Sequence, residues 1–301
     1  MNADAPTSRA ALWWQTIRPR TLSAGAMPVV VGAALAASDG VVHPIAAAFA
    51  LIGALALQVG TNLHNDYEDF VRGADGPDRL GPRRASAGGL IAPATVRRAA
   101  IGAFGAAVVV GVYLVARGGW PILALGLASI AAGWAYTGGP RPLAYVGLGD
   151  VFVLAFFGVA AVVGTYYVQA LATTPAAWWL GLGLGALAMA ILAVNNLRDR
   201  QGDAAAGKRT LAVRYGATFA RAEHSLCLVF AHAALVPVAL LGHPGALAGL
   251  GSLPLARRVG ARVWATDGAA LNPLLGATAR LLAVHGALVS AGLVVERLVG
   301  R

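Results

Sequence analysis

Apolar residues fall in long runs along this chain, separated by short polar stretches. Nine of the runs read as membrane segments, over residues 22–38, 44–61, 99–116, 120–136, 146–166, 176–195, 219–241, 244–256 and 274–295. The eighth is the weakest. It is short and contains glycine and proline, which predicts a tilted or broken segment. No strand-like alternation at barrel spacing occurs, which argues against a β-barrel. The pattern therefore predicts an all-α fold, a polytopic membrane bundle of about nine transmembrane helices.

Composition agrees. The 301 residues are 58% hydrophobic and 12% charged, about half the charged share of a soluble domain. The 39 glycines and many alanines favour close helix–helix approach in lipid. Cys227 is the single cysteine, so no internal disulfide or Cys-rich metal site is expected, and it reads as a packing residue in an apolar run. Residues 1–10 are polar and lack the apolar core of a signal peptide.

A net charge of +10 raises the question of nucleic acid. The placement of the cations answers it differently. With the N-terminus on the cytoplasmic side, the inner segments carry Arg9, Arg18 and Arg20, then Arg72, Arg79, Arg83, Arg84, Arg97 and Arg98, then Arg141. Beyond these come Arg198, Arg200, Lys208, Arg209, Arg214 and Arg221, and finally Arg257, Arg258 and Arg262. That is 19 of the 23 Lys and Arg residues. The outer segments hold only Arg117, Arg297 and Arg301, and Arg280 lies near the inner end of the last run. This asymmetry follows the positive-inside rule. It predicts a multi-pass cell-membrane protein that faces an anionic surface or substrate, with no nucleic-acid partner.

Two polar stretches then stand out. Asn62–Arg84 packs five acids (Asp66, Glu68, Asp69, Asp75, Asp78) beside Arg72, Arg79, Arg83 and Arg84. Asn195–Thr210 holds Asn195, Asp199 and Asp203 at i, i+4 and i+8, which on a helix line one face. Asn62 and Asp66 repeat the i, i+4 step, with Asp69 following. One such cluster reads as a solvated loop. Two with matching steps, each at the predicted inner end of a membrane run, point to a site. Stacked carboxylates repel unless a hard cation lies between them, and Mg²⁺ takes one or two carboxylates plus substrate phosphate oxygens. Arg79, Arg83, Arg84, Lys208 and Arg209 suit the remaining phosphate charge. No Walker-type glycine loop is present, so a nucleotide P-loop is not indicated.

These residues resemble the UbiA superfamily of intramembrane aromatic prenyltransferases, over nearly the whole chain. The resemblance rests on RPRTL (Arg18–Leu22), NDYEDFVRGAD (Asn65–Asp75), GPRRASAGGLI (Gly81–Ile91), YTGGPRPLAY (Tyr136–Tyr145) through Asp150, and NNLRD to GKRTLAV (Asn195–Val213). The last two are similar to the branch acting on 1,4-dihydroxy-2-naphthoate. The resemblance implies one UbiA-type membrane domain over 1–301, with an inner-surface N-terminal segment at 1–20 and cytoplasmic active-site loops at 62–98 and 195–218. It implies two Mg²⁺ ions bridging a polyprenyl diphosphate, held by Asp66 and Asp69 on one side and Asp199 and Asp203 on the other. Asp75 is a further metal candidate whose role stays open between ligand, outer shell and loop brace. Asn62 and Asn195 would complete or orient the shells, while Arg79, Arg83, Lys208 and Arg209 would stabilise the diphosphate. Tyr67, Tyr136, Tyr145, Phe152 and Phe156 are candidates to roof an allylic cation. The ring carboxylate would leave as CO₂, giving demethylmenaquinol, and the tail would lie between helices in contact with membrane lipid.

Other residues carry less. Arg141 reads either as a contact to the naphthoate carboxylate or diphosphate, or as a topology determinant. Asp150 is a substrate or arginine partner, or an interfacial residue. Arg18 and Arg20 are expected on an inner-surface stretch with Trp13 and Trp14. Glu68 and Asp78 read as solvated loop charges and His64 as a packed or solvent-facing residue; Asp267 and Asn272 suggest no chemistry. Prenylation of 4-hydroxybenzoate, homogentisate or haem is the alternative within the superfamily. An ion-coupled transporter would place acids at mid-helix depth, and a CDP-alcohol phosphotransferase would carry a DGxxAR motif that is absent.

Overall fold

The computed structural model describes residues 8–74, 79–82 and 84–300. Of the predicted site residues, Asp75 and Arg83 lie outside this set, as does the loop charge Asp78. Among the described residues there is no strand. The helices are α1 (Arg9–Thr16), α2 (Leu22–Ser38), α3 (Pro44–Val71), α4 (Pro93–Gly118), α5 (Trp120–Ala135), α6 (Gly149–Leu154), α7 (Ala161–Ala170), α8 (Pro175–Ala205), α9 (Leu211–Ala233), α10 (Leu235–Leu240), α11 (Leu253–Trp264) and α12 (Asn272–Leu298). A π-helical turn over Ala155–Ala160 joins α6 to α7, so the two form one continuous span. Proline opens α3, α4 and α8, where its missing N–H costs nothing.

Six helical stretches among the described residues are long and apolar enough to cross a membrane: 44–71, 93–118, 149–170, 175–205, 211–240 and 268–298. Helices α2 and α5 are shorter and apolar. The chain is a multi-pass membrane protein. The eighth predicted segment is broken, as its glycine and proline suggested: a 3-10 stretch, Pro244–Ser252, leads into the short α11.

The central pillar is α8. Its apolar window is 72% buried by protein, against 17% for α4 at the periphery. Gly158, inside the π turn, lies so close to α8 that a methyl group there would strike the Gly181 carbonyl and the Gly185 backbone. Small residues at such crossings let backbones meet, which is how helices associate in lipid.

Two helices extend past their apolar runs. Residues 62–71 continue α3 and residues 196–205 continue α8, so both acidic motifs sit on helix rather than in the predicted loops at 62–98 and 195–218. Both helices end in the same way. Gly73 (φ 66°) and Gly207 (φ 75°) adopt the left-handed conformation. The next amide then bonds back, Ala74 N–H to the Asp69 carbonyl at 2.9 Å and Lys208 N–H to the Asp203 carbonyl at 2.8 Å.

Candidate active site

The two helix ends converge on one ammonium group. Lys208 Nζ lies 3.3 Å from Asp69 Oδ1 on α3 and 3.6 Å from Asp203 Oδ1 on α8. The glycine cap of α8 delivers it there, because Gly207 turns the chain back towards α3. Lys208 Nζ also stands 5.0 Å above the ring of Tyr145, whose hydroxyl donates to Asp69 Oδ1 at 3.2 Å. Arg209 N–H donates to the Tyr145 carbonyl at 2.9 Å and clips the post-α8 turn to this loop.

The other motif acids are tied into the scaffold. Asp66, 2% exposed, accepts from the Ala85 and Ser86 amides at 3.1 and 3.0 Å, and so orders the turn after the arginine-rich segment. Asp69 Oδ2 accepts from Arg84 Nη2 at 2.8 Å. Asp199 is held in a fork by Arg198, at 2.8 and 2.5 Å. Arg198 is itself 5% exposed and donates to Asn195 Oδ1 at 2.8 Å and Asn272 Oδ1 at 2.9 Å. Asn272 completes the clasp by donating to the Leu80 carbonyl at 2.8 Å. Arg198 and Asn272, to which the sequence assigned no chemistry, thereby fasten α8, α12 and the segment around Leu80 together.

Arg18 corrects an expectation. It is not on a surface stretch. It takes a left-handed backbone (φ 59°, ψ 62°), a conformation that costs a non-glycine residue energy, and its guanidinium is buried in the site. Burial first, then Arg84 and Arg79, pull it down to about 9, against the opposing pull of Asp66 and Asp69. Its Nη2 meets no acceptor among the described residues. A buried, strained cation facing two others, with a donor left open, is a seat for an anion.

The remaining predicted residues separate. Tyr136 is half-buried, and desolvation followed by the carboxylates of Asp150, Asp69 and Asp203 pushes its hydroxyl up. Tyr145 moves the same way, through burial and then Asp69. Arg79 Nε donates to the Pro82 carbonyl at 3.2 Å. Asn62 donates to the Ile17 carbonyl at 3.0 Å and so holds the segment that carries Arg18. Arg141 and Arg209 have exposed side chains. Tyr67 packs under Arg97, 5.5 Å away, rather than over the carboxylates. Phe152 and Phe156 stack at 5.8 Å. His64 is packed, with Nε2 3.1 Å from the Trp134 carbonyl and its ring stacked on that indole. Glu68 is not a loop charge but an α3 residue 3.5 Å from Arg72.

An apolar cavity of about 560 Å³ lies in the same bundle, lined by none of the acids or cations above. It runs between α5 and the α6–α7 span, from Val151 past Leu154, Phe156 and Val163 to Tyr167 and Trp178. Val151 and Trp178 are exposed, so it opens on the outer surface of the bundle.

A carboxylate from each of two helix ends, a gathering of guanidinium groups and a greasy cavity in the same bundle suit a membrane enzyme acting on an amphiphilic anion. The chain belongs to the UbiA prenyltransferase family, whose model matches residues 26–279. It is a prenyltransferase. It is 42% identical over 228 residues to the 1,4-dihydroxy-2-naphthoate octaprenyltransferase of Escherichia coli (strain K12), covering 74% of each chain. To the enzyme of the same name from Mycobacterium tuberculosis (strain ATCC 25618 / H37Rv) it is 38% identical over 288 residues, covering 94% of this chain and 97% of the relative. A UbiA homolog from Archaeoglobus fulgidus, solved with GPP and Mg²⁺, shares the fold with a TM-score of 0.65 at 15% identity, over 93% of this chain and 99% of that one.

The residues fit a magnesium ion. Every candidate ligand is a hard oxygen donor, and Lys208 places a positive charge between Asp69 and Asp203, where a cation would neutralise both. No three acids, histidines or cysteines converge among the described residues. That suits an ion that takes one or two carboxylates and fills its shell from substrate and water.

Proposed function

We propose that this chain transfers a polyprenyl group from polyprenyl diphosphate to 1,4-dihydroxy-2-naphthoate, releasing diphosphate and CO₂ and giving demethylmenaquinol. The observation that carries the reading is Lys208 within ion-pair reach of both Asp69 and Asp203, beside the buried, unsatisfied Arg18. The names of the relatives supply the acceptor.

Asp69 and Asp203 would hold Mg²⁺, with Asp66 and Asp199 fixing the two helix ends behind them. Asp75 and Arg83 keep the roles the resemblance implies. Bound Mg²⁺ would supply charge neutralisation to the leaving diphosphate. Arg18, Arg79, Arg84 and Lys208 gather phosphate oxygens, and their charge counts for more in a site with little water. The isoprenoid lies in the cavity beside Phe156, which keeps water from the allylic cation as the C–O bond breaks. The aromatic ring supplies the electron pair of the new C–C bond. The positive-inside distribution supports a site facing the cytoplasm.

Purified protein in detergent, given a polyprenyl diphosphate and the naphthoate, should form the prenylated quinol and CO₂ with Mg²⁺ and fail with a chelator. Turnover of 4-hydroxybenzoate or homogentisate instead would keep the class and replace the acceptor. No transfer to any of these would overturn the reading.

A further inference from the structure

The segment between α3 and α4 carries Arg79 and Arg84, and it is held from two sides. On one side, Asp66 of α3 takes the Ala85 and Ser86 amides, and Arg84 reaches Asp69 at 2.8 Å. On the other side the hold comes from α12, which carries none of the motif acids. Asn272, the first residue of that helix, donates from Nδ2 to the Leu80 carbonyl at 2.8 Å. Its Oδ1 accepts from Arg198 Nη1 at 2.9 Å. Both contacts demand this orientation of the carboxamide, because a carbonyl only accepts and a guanidinium only donates.

Arg198 is the floor beneath this turn. It is buried, its charge is balanced by Asp199, and Asn195 and Asn272 pin it further. Gly81 rests directly on it. A Cβ on Gly81 would stand 2.9 Å from Arg198 Nη2 and 3.3 Å from Arg79 Nη2. The demand here is for space, since Gly81 is not among the glycines in the left-handed region. Arg79 curls over the same turn, with Nε 3.2 Å from the Pro82 carbonyl. The place of the Arg79 guanidinium therefore follows from the contact between Gly81 and Arg198.

We infer that Asn272, Arg198 and Gly81 are positioning residues for the donor's diphosphate. They act through Arg79 and Arg84, by setting where those guanidinium groups stand over the ends of α3 and α8. The inference rests on the prenyl-transfer reading for its ligand and adds to it a role for α12. Bidentate contact to phosphate oxygens is geometrically exacting, so a shift of about 1 Å in the turn is enough to weaken the grip. Asn272 holds both the floor and the turn, which makes it the single residue that sets their spacing.

The test uses the full-length protein in detergent. Calorimetry measures binding of inorganic diphosphate with Mg²⁺, and steady-state kinetics vary each substrate separately. Asn272→Ala strips a partner from both the Leu80 carbonyl and Arg198, and Gly81→Ala pushes the turn off the pinned guanidinium. Each should weaken diphosphate binding and raise KM for the prenyl diphosphate by about tenfold, with KM for the naphthoate within about twofold of wild type. A merely structural clasp would lower melting temperature and kcat and leave diphosphate affinity unchanged, and that result overturns the inference. Should Asn272→Ala fail to fold, Gly81→Ala decides, since it removes no hydrogen bond. Wild-type affinity in folded Gly81→Ala overturns the inference as well. Wild type that binds diphosphate but transfers no prenyl group would strike the prenyl-transfer reading alone, whereas wild type that binds no diphosphate would strike this inference.

Discussion

The C-terminal ends of α3 and α8 are built alike and used differently. Each closes on a left-handed glycine whose following amide caps the carbonyl of an aspartate, Asp69 in one and Asp203 in the other. After Gly73 comes Ala74; after Gly207 comes Lys208, which reaches both aspartates. The supporting acids differ as well. Asp66, three residues before its partner, binds backbone amides of the 85–86 turn, whereas Asp199, four residues before its partner, binds the Arg198 side chain. One acid of each end therefore secures the scaffold, and the other offers its charge to the space between the helices.

That division can be broken by substitution. Asp203 meets only Lys208 among the described residues, so Asp203→Asn should cut kcat by about a hundredfold to a thousandfold, with little change in thermal unfolding. Wild-type turnover in this variant would remove α8 from the chemistry. Asp66→Asn leaves one of two buried amides without its acceptor. It should cost about 1–3 kcal/mol of stability as well as activity, read by unfolding in detergent. Loss of activity at full stability would put Asp66 in contact with substrate or metal instead of the scaffold. Arg18→Gly should move the two readouts in opposite directions. Relief of the left-handed backbone should stabilise the fold by about 1–2 kcal/mol, while KM for the prenyl diphosphate rises about tenfold. The smallest effect belongs to Glu68→Gln, which breaks an i,i+4 pair on α3 and should change stability by less than about 0.5 kcal/mol. A large loss there would mean that Glu68 also serves the site and not only its i,i+4 pair with Arg72.

Much of this was legible in the residues. The apolar runs located the helices, because hydropathy is the dominant force on a chain in lipid. The two Asn-x3-Asp steps pointed to the helix ends that meet at the candidate site, although their aspartates, Asp66 and Asp199, bind scaffold groups and it is Asp69 and Asp203 that approach Lys208. Where the helices stop was less legible: 62–71 and 196–205 are polar, and the glycines that end them act through backbone conformation rather than hydropathy. Arg18 was misplaced because its neighbours Trp13 and Trp14 suggest an interface, while its burial comes from α3 through Asn62.

The claim that two helix ends make one site is tested most directly by a double-mutant cycle on Asp69 and Asp203. If both carboxylates serve one cation, Asp69→Asn, Asp203→Asn and the double variant should show nearly the same residual kcat, because either loss disables the shared site. If the double variant loses the product of the two single effects, the aspartates act independently, and the account of a single site between α3 and α8 is wrong.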